Sequence, residues 1–406
     1  MRVVVVSDFA HVNGGAAAVA IDSAIGLACR GHRVSFFSAV GPVDDRLPDA
    51  GVEVICTGQH ELLEDPNRLR AVCQGLWNPS AARALKLHLN GSGREDTIIH
   101  LHGWSKALST SVVRAAIDRG FKTVCTLHDY FSACPAGGFF DHRSLDHCHR
   151  RPLSFACLAR NCDSRNYAHK LWRTARQVVQ QRVGGVPGHM DAFVGISRLS
   201  CDILKPYLPG GVRLFEVPNP INVLHARPFE PARSKSFVMM GRLTLDKGGA
   251  LLAKAAHECG VHAVFVGDGP CRQDIASACP SATITGWLPK ERAASFFERS
   301  RALVLPSLWY EGQPLVPLEA ASRGVPAIVS DGCAGRESVE DGVTGLLFND
   351  GDVSSLKSAL CRMKDDGLVR RLGRAAYERY WANPLTTERH VARLEQVYQA
   401  VLGQTN

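Results

Sequence analysis

Two carboxylates, Glu311 and Glu319, are separated by seven residues in the segment Glu-Gly-Gln-Pro-Leu-Val-Pro-Leu-Glu. Glu311 follows an apolar predicted strand, 302–305, and precedes Gly312, a residue type that allows close backbone approach. Glu319 lies among apolar residues, where we expect a helix to begin just after Pro314. A carboxylate in apolar surroundings needs hydrogen-bond donors, so a vicinal diol is one suitable ligand. A solvated glutamate on an amphipathic helix is the alternative for Glu319.

A glycine-rich turn with two cations follows the predicted strand 237–240 and leads into a helix near Gly249. Its residues Gly241, Arg242 and Lys247 suit an anion, because backbone N–H groups, a guanidinium fork and a compact ammonium all favour phosphate oxygens. The turn has neither the Gly-Lys-Ser/Thr of a nucleotide P-loop nor the G-x-G-x-x-G of a dinucleotide fold. A solvated loop with two cations remains the alternative.

Further glycine-rich turns follow the next two predicted strands, at Gly267 and Gly269 and then at Gly286 and Trp287. Each is also compatible with ordinary turn chemistry. Because the carboxyl ends of parallel strands lie at one edge of a sheet, we expect these turns to surround the same cleft as Glu311.

The first half of the chain offers two more candidates. Gly14 and Gly15 lie between the first strand and an Ala-rich helix, where they are a candidate phosphate contact. His128 ends the fifth predicted strand, which places it at the rim of a cleft; a structural histidine is the alternative.

Short β-branched runs alternate with helical segments through most of the 406 residues, which predicts parallel sheets covered by helices on both faces. The chain length and the stiff segment 216–221, which contains Pro-Asn-Pro, predict two doubly wound domains with a ligand cleft between them. We assign residues 1–217 to the first domain, 218–382 to the second, and 383–406 to a terminal amphipathic helix after a break at Asn383-Pro384.

These motifs, in this order, resemble the GT-B glycosyltransferases of the large retaining family 4. The resemblance covers nearly the whole chain and is strongest from 237 to 348, through Gly-Arg-Leu-x-x-x-Lys-Gly, Val-Gly-Asp-Gly-Pro, the two glutamates and Gly-Val-Pro-Ala-Ile-Val-Ser-Asp. It implies an α/β GT-B fold, two Rossmann-like domains facing a central cleft. The second domain would bind a nucleotide-diphosphate sugar and the first a glycan or lipid-linked acceptor, and the terminal helix would return to the first domain.

The resemblance also implies roles for single residues. Arg242 and Lys247 would stabilise the leaving diphosphate, Glu311 would contact the donor sugar, Glu319 would bind the ribose, and His128 would lie beside the transferred sugar. The remaining expected donor contacts are Gly14, Gly15, Gly241, Gly267, Gly269, Gly286, Trp287, Gly312, Gln313, Pro314 and Leu315.

The resemblance implies retention at the anomeric carbon and no metal or other cofactor required for catalysis. One Asp-x-Asp pattern, Asp350-Gly-Asp352, is of the kind that binds a metal diphosphate in other glycosyltransferases. Asp352 precedes Val-Ser-Ser-Leu, however, so we interpret it as a helix N-cap.

Four cysteines, Cys134, Cys148, Cys157 and Cys162, lie in a segment of about 134–165 that interrupts the first domain. Their density indicates a structural zinc site with thiolate or mixed Cys and His ligands. A disulfide pair, an iron–sulfur cluster and unrelated thiols are the alternatives. Some family members resemble this chain in having such an insertion.

The formal charge of +8 suits an anionic small ligand, an anionic lipid surface or nucleic acid. Much of it lies in residues 150–182, where eight Lys and Arg residues are interleaved with aromatic ones. This stretch indicates either contact with a lipid-linked acceptor at a membrane surface or an ordinary solvated helix face. We expect no nucleic-acid partner, since no reader motif is present and Glu311 and Glu319 would be unexplained.

The beginning of the chain forms a short apolar strand rather than a signal peptide, and no apolar run is long enough to span a bilayer. We therefore expect a cytoplasmic protein, with peripheral contact at the inner face of the membrane left open. Most of the 14 cysteines would then be free thiols or metal ligands. The sequence favours a sugar transferase of polysaccharide or glycolipid assembly; a catalytically silent, nucleotide-sugar-binding partner subunit is the alternative.

Overall fold

The β-branched run Val3–Val6 forms the middle of the first strand and is fully buried. The structure is a computed structural model in which residues 1–403 are described. It divides the chain into two units. Within the described residues, the N-terminal unit comprises Met1–Gly137, Arg150–Pro220 and 385–403, and the C-terminal unit comprises Gly138–His149 and Ile221–Pro384.

The N-terminal unit is built on seven parallel strands in the order β3-β2-β1-β4-β5-β8-β9. Their bounds are β1 (Arg2–Phe9), β2 (Arg33–Val40), β3 (Glu53–Cys56), β4 (Thr97–Leu101), β5 (Lys122–Leu127), β8 (Ala192–Gly195) and β9 (Arg213–Glu216). Its helices are α1 (Gly15–Cys29), α2 (Arg46–Asp49), α3 (Arg68–Leu76), α4 (Pro79–His88), α5 (Ser111–Ile117), α6 (Phe155–Ala159), α7 (Tyr167–Val179), α8 (Arg198–Leu204) and α15 (Thr387–Leu402).

Helix α15 packs on α1 within the N-terminal unit. Gly26 permits this close approach, because a Cβ at that position would lie 2.6 Å from Cγ2 of Val391. The buried hydroxyl of Ser23 on α1 is 3.0 Å from Nε2 of His390, whose Nδ1 is 2.8 Å from the carbonyl of Pro218. Apolar packing and these polar contacts together hold α15 against α1 in the N-terminal unit.

The C-terminal unit contains six parallel strands in the order β12-β11-β10-β13-β14-β15 and a small antiparallel hairpin. The sheet strands are β10 (Ser236–Met240), β11 (His262–Val266), β12 (Thr283–Ile284), β13 (Ser300–Leu305), β14 (Ala327–Ser330) and β15 (Gly345–Phe348), and the hairpin is β6 (Phe140–Asp141) with β7 (Asp146–His147). The helices are α9 (Gly249–Cys259), α10 (Arg272–Ala278), α11 (Lys290–Ala294), α12 (Val316–Ala321), α13 (Val353–Arg362) and α14 (Asp366–Ala382).

The predicted α/β fold with two parallel sheets is confirmed. Strands β9 and β15 were not predicted. Strand β9 is a short, half-exposed edge strand, and β15 contains no β-branched residue, so neither has the composition that marked the others. The hairpin β6–β7 lies in the segment 138–149, which the sequence analysis placed in the first domain but which belongs to the C-terminal unit.

Asp352 caps a helix, as the sequence predicted. Oδ1 of Asp352 accepts hydrogen bonds from the backbone N–H groups of Ser354 at 2.7 Å and Ser355 at 3.1 Å, which confirms it as the N-cap of α13. Cys259 and Cys361 form a disulfide between α9 and α13. Within residues 1–403, no helix has the length and hydropathy needed to cross a membrane.

Candidate functional site

Two glycine-rich loops, which follow β10 and β11, are joined by backbone contacts. The N–H of Leu243 donates to the carbonyl of Asp268 at 2.9 Å. Gly267 and Gly269 have positive φ angles of 152° and 158°, and a Cβ on Gly267 would lie 1.9 Å from the carbonyl oxygen of Gly241. Any larger residue at Gly267 would therefore separate the two loops.

Lys247 and Glu311, both predicted as catalytic residues, contact each other directly. The Nζ of Lys247 is 2.6 Å from Oε1 of Glu311, and the side chains are only 19% and 8% exposed. The hydroxyl of Ser307 donates to the same oxygen at 2.5 Å. The ammonium also lies 5.1 Å from the centre of the Trp309 ring, a cation–π distance. Ser307 and Trp309 thus each contact one member of the ion pair.

The loops that follow β10 and β13 carry this ion pair and are fixed to each other. Gly248 adopts a left-handed conformation with φ of 69°, and a Cβ there would lie 1.9 Å from the carbonyl oxygen of Pro306. The N–H of Leu308 donates to the carbonyl of Asp246 at 2.9 Å. Glu311 itself has φ of 55°, an uncommon conformation for a residue other than glycine and one that is enriched at functional sites.

The hairpin β6–β7 supports the residue that precedes Glu311. Nε2 of His147 is 3.0 Å from Oδ2 of Asp350, and its ring stacks on Tyr310 with centroids 3.9 Å apart. Ser330 donates to the other oxygen of Asp350 at 2.8 Å. Asp350 and His147, which the sequence placed in a metal pattern and in a cysteine-rich segment, therefore brace the loop that carries Glu311.

Glu319 is a partly buried carboxylate in α12, which begins at Val316, close to the predicted start after Pro314. Burial raises its pKa, and the charge of Lys290 opposes that effect. Within residues 1–403, no protein group donates a hydrogen bond to this carboxylate. The arrangement suits a donor from outside the protein, as the sequence analysis expected for a diol.

The other predicted residues of the C-terminal unit lie around these loops. Arg242 is exposed directly after β10, and Gly286 forms a bridge with Gly267. The Trp287 side chain is 78% exposed. The segment between the two glutamates comprises the buried Gly312 and the half-buried Gln313, Pro314 and Leu315.

In the N-terminal unit, α1 begins at Gly15 without a side-chain cap and its first turn contains no acidic residue. Gly14 is exposed with φ of 134°, and a Cβ on either glycine would meet no atom within 4 Å. The space beside these two glycines is therefore open, and the N-terminus of the 15-residue helix electrostatically favours an anion.

His128 lies directly after β5, at the strand end where the sequence predicted it, and contributes to a pocket of the N-terminal unit that is also lined by Trp104 and Phe131. Its Nε2 is 2.9 Å from Nδ1 of His102, a pocket residue that the sequence analysis did not identify. Burial, followed by the charge of His390, lowers the pKa of His128 to about 3, so the ring is neutral at physiological pH. Neutral imidazole can both donate and accept hydrogen bonds.

Asp129, next to His128, lies in the same pocket. Burial raises its pKa to about 6, while the hydrogen bond from the N–H of Phe131 at 2.9 Å and the charge of Arg176 act in the opposite direction. A carboxyl with this pKa changes its protonation state near physiological pH. The sequence motif contained Asp129, but only its burial in the folded unit distinguishes it from a solvated aspartate.

The cysteine-rich segment places two of its thiols against a buried ammonium. Nζ of Lys170, which is 1% exposed, lies 3.4 Å from Sγ of Cys157 and 3.3 Å from Sγ of Cys162. Cys134 is buried and Cys148 half-buried. Among residues 1–403, no three His, Cys, Asp or Glu side chains form a group that could hold a metal ion, so the zinc site stays a prediction.

Comparison with known proteins identifies the type of domain. Residues 234–366, which contain Lys247, Glu311 and Glu319, match the family model described as "Glycosyl transferases group 1". This match covers every loop of the site in the C-terminal unit that follows β10, β11 and β13.

Curated relatives match part of the chain. An exopolysaccharide phosphotransferase of Streptomyces coelicolor, SCO2592, is 34% identical over 203 residues, which are 47% of this chain and 21% of that protein. The UDP-Gal:alpha-D-GlcNAc-diphosphoundecaprenol alpha-1,3-galactosyltransferase of Escherichia coli is 29% identical over 176 residues, 40% of this chain and 44% of that protein. The chain thus spans less than half the length of these relatives.

The solved structure of Anabaena Alr3699/HepE in complex with UDP-glucose superposes with a TM-score of 0.67 at 15% identity, over 98% of this chain and 100% of that one. At this identity the similarity concerns the fold alone. The chain has the GT-B fold, as the sequence motifs implied.

The pKa of Asp129 generates a prediction on stability. Because the pKa is raised in the folded state, ionisation disfavours folding, and this penalty is absent below about pH 4 and complete above about pH 6. We expect Asp129→Asn to gain melting temperature relative to the wild-type protein as the pH rises through this range. Thermal unfolding at a series of pH values measures the difference.

The matched control is Leu87→Asn, which exchanges two side chains that do not titrate at an exposed position of α4 in the same unit. Its melting-temperature difference from the wild type is expected to stay constant across the same pH range. If the melting-temperature difference between Asp129→Asn and the wild type does not change with pH, the fold does not raise the pKa of Asp129.

Proposed function

We propose, from the glycosyl transferases group 1 match over residues 234–366 and the GT-B fold, that this protein is a retaining glycosyltransferase. It moves a sugar, a hexose by preference, from a nucleotide-diphosphate sugar to a glycan or lipid-linked acceptor in polysaccharide or glycolipid assembly. The observation that carries the proposal is the shielded Lys247–Glu311 ion pair at the carboxyl edge of the parallel sheet. The E. coli relative, whose name describes transfer from UDP-Gal, supports the substrate class.

Loss of a nucleoside diphosphate leaves negative charge that must be stabilised in the transition state. Lys247 and the exposed Arg242 would provide that positive charge at the start of α9. Glu311 would orient the donor sugar by accepting hydrogen bonds from its hydroxyl groups, and it also holds the ammonium of Lys247 in place. Glu319, whose carboxylate lacks a protein donor within residues 1–403, would accept the ribose hydroxyl groups.

In the N-terminal unit, the open end of α1 at Gly14 and Gly15 would add N–H donors for the diphosphate, and neutral His128 would contact the transferred sugar. The reaction we propose proceeds with retention of anomeric configuration and without a metal or other cofactor. We propose a cytoplasmic location, with peripheral contact at the inner face of the membrane where a lipid-linked acceptor is presented.

Binding of the donor is tested by thermal shift with a panel of nucleoside diphosphates and their sugars. A ligand at 100 times its dissociation constant should raise the melting temperature by about 5–10 °C. Glu319→Gln should bind the nucleotide about tenfold more weakly, since a charge-assisted hydrogen bond becomes a neutral one. If no member of the panel stabilises the protein, the proposal is contradicted.

The matched control for Glu319→Gln is Glu378→Gln, at an exposed position of α14.

Turnover is tested with Glu311→Gln. The amide keeps the shape of the side chain and an oxygen acceptor for Ser307 and Lys247, so the fold should persist while the charge is lost. We expect turnover to fall by about a hundredfold or more, with nucleotide binding retained. Release of nucleoside diphosphate from the donor identified in the panel measures it.

Unchanged turnover of Glu311→Gln would remove this residue from the catalytic site. Nucleotide-sugar binding by a wild-type protein that transfers no sugar to any acceptor would instead favour the silent partner subunit.

For the cysteine-rich segment we retain a structural zinc ion on Cys134, Cys148, Cys157 and Cys162 as a proposal. Its support is the contact of Lys170 with two of the thiols: burial lowers the pKa of Lys170, but the two sulfur atoms outweigh this and raise it. A zinc site needs several sulfur atoms close together, and this contact gathers two of the four around one atom.

Elemental analysis of the purified protein is expected to find about one zinc per chain. Cys157→Ser should lose the metal, whereas Cys279→Ser, a buried free thiol of the C-terminal unit, should retain it. Absence of stoichiometric metal from wild-type protein prepared without chelator would rule the zinc site out.

A further inference from the structure

Helix α7 is amphipathic in the reverse of the usual sense. A surface helix normally turns its apolar face to the core and its polar face to water. The buried residues of α7 are instead all polar or charged, namely Lys170, Thr174, Arg176 and Gln177. The exposed residues are Tyr167, Ala168, Leu171, Ala175 and Val178.

The buried polar groups all have partners inside the N-terminal unit. Lys170 contacts the two thiols, Thr174 donates to the carbonyl of Lys170 at 2.9 Å, and Gln177 donates to the carbonyl of Ser132 at 3.2 Å. Arg176 donates to the carbonyl of Ser105 at 2.9 Å and lies over the Phe131 and Trp172 rings. Because these contacts fix the orientation of the helix, the apolar face is held outward.

The outward face is continuous along the helix. Tyr167, Leu171, Ala175 and Val178 follow the spacing of four, four and three residues that places side chains on one side of a helix. Leu171 is 47% exposed and Val178 is 44% exposed. Exposed apolar residues gathered on one element mark a surface that another molecule covers.

Neighbouring elements extend this surface. The indole N–H of Trp172 on α7 donates to the carbonyl of Val72 on α3 at 3.3 Å, which brings α3 alongside α7. Val72 is exposed, and Leu69, one turn earlier on α3, is 80% exposed. At the other end, the hydroxyl of Tyr167 donates to the carbonyl of Leu158 on α6 at 2.7 Å, and Phe155, which begins α6, is 87% exposed. We call the exposed apolar side chains of these helices, namely Leu69, Val72, Phe155, Tyr167, Leu171 and Val178, the apolar face.

The exposed charges on the segments that carry the apolar face are mostly positive. In the segments 61–76 and 150–184, the exposed cations are Arg68, Arg70, Arg151, Arg165 and Arg182. Four acidic residues lie in these segments. Asp65 and Asp163 are buried, and they pair with Arg70 and Arg173 respectively. Glu61 is half-buried, and Glu64 is exposed. Exposed apolar side chains on segments whose exposed charges are mostly arginines match a bilayer surface, where acyl chains lie beneath anionic headgroups.

We propose that the apolar face inserts into the interface of an anionic lipid bilayer, with the exposed arginines of the same segments on the headgroups. Leu171 and Val178 enter the acyl boundary from α7, together with Leu69 and Val72 from α3 and Phe155 from α6. The N-terminal unit is thereby held at the membrane surface by side chains, since no helix within residues 1–403 is long and apolar enough to cross a membrane. This inference rests on the proposed function only in explaining why the surface is useful, namely access to a lipid-linked acceptor.

The test is flotation of the purified full-length chain with vesicles of phosphatidylglycerol and phosphatidylcholine, compared with vesicles of phosphatidylcholine alone. We expect binding to the anionic vesicles and weaker binding to the neutral ones. The double variant Leu171→Glu with Val178→Glu should bind the anionic vesicles at least about tenfold more weakly, since it replaces two inserted apolar side chains by charges that the headgroups repel.

The matched control is Leu87→Glu, an apolar residue of α4 in the same unit that is 64% exposed and lies outside the apolar face. It should bind the vesicles like the wild type. No binding of the wild type to anionic vesicles, or equal binding by the double variant, would overturn the proposal. A wild-type dimer in sedimentation that the double variant dissociates would overturn it in favour of a second copy of the chain.

Both variants change exposed residues, so each should keep the melting temperature and the nucleotide response of the wild type. Vesicle binding without any nucleotide response would leave this inference standing while the proposed function fails. A nucleotide response without vesicle binding would overturn this inference and leave the proposed function standing.

Discussion

The contact between Lys247 and Glu311 is the interaction on which the candidate site depends. An ammonium and a carboxylate that are both largely removed from water are costly unless each compensates the other, and here Nζ and Oε1 are 2.6 Å apart. The partnership fixes a cation at the carboxyl edge of the sheet before any ligand arrives. Such preorganisation is what allows a charge to stabilise a transition state without reorganising. The left-handed backbone of Glu311 is tolerated because Ser307 and Lys247 both hold its side chain.

The same principle of compensated charge explains the cysteine-rich segment and α7. The sequence shows a dense run of cations between 150 and 182, which looks like a solvated basic face. In the folded unit, Lys170 and Arg176 are buried, and Arg173 pairs with the buried Asp163 at 3.2 Å. Once these side chains have partners inside, the apolar residues of the helix are left outside. The run of cations in the sequence suggested that the charged side of the helix faces solvent, whereas Lys170 and Arg176 are buried. Partners that are distant in the sequence decide which side of a helix faces inward.

Most of the site in the C-terminal unit could be predicted from the sequence. Gly267 and Gly248 are needed because carbonyl oxygens would lie 1.9 Å from any Cβ at those positions, and glycine after a buried strand already indicates such an approach. Asp352 was predictable as a cap because the acceptor and the N–H groups it binds are two and three residues apart. The support of Tyr310 by His147 was not predictable, since His147 is separated from Asp350 by 203 residues and comes from a hairpin with no sequence pattern of its own.

The sequence by itself determined the alternation of strands and helices, and with it the meeting of successive loops at one edge of each sheet. Those features follow from local periodicity and from the geometry of parallel strands, which any stretch of chain carries within itself. Only the tertiary structure decided which polar groups are removed from water. Burial raises the pKa of Asp129 and lowers that of His128, turns the cations of α7 inward, and closes Lys247 on Glu311. The desolvation of a group depends on all of its neighbours in space, and these come from parts of the chain that are far apart in the sequence.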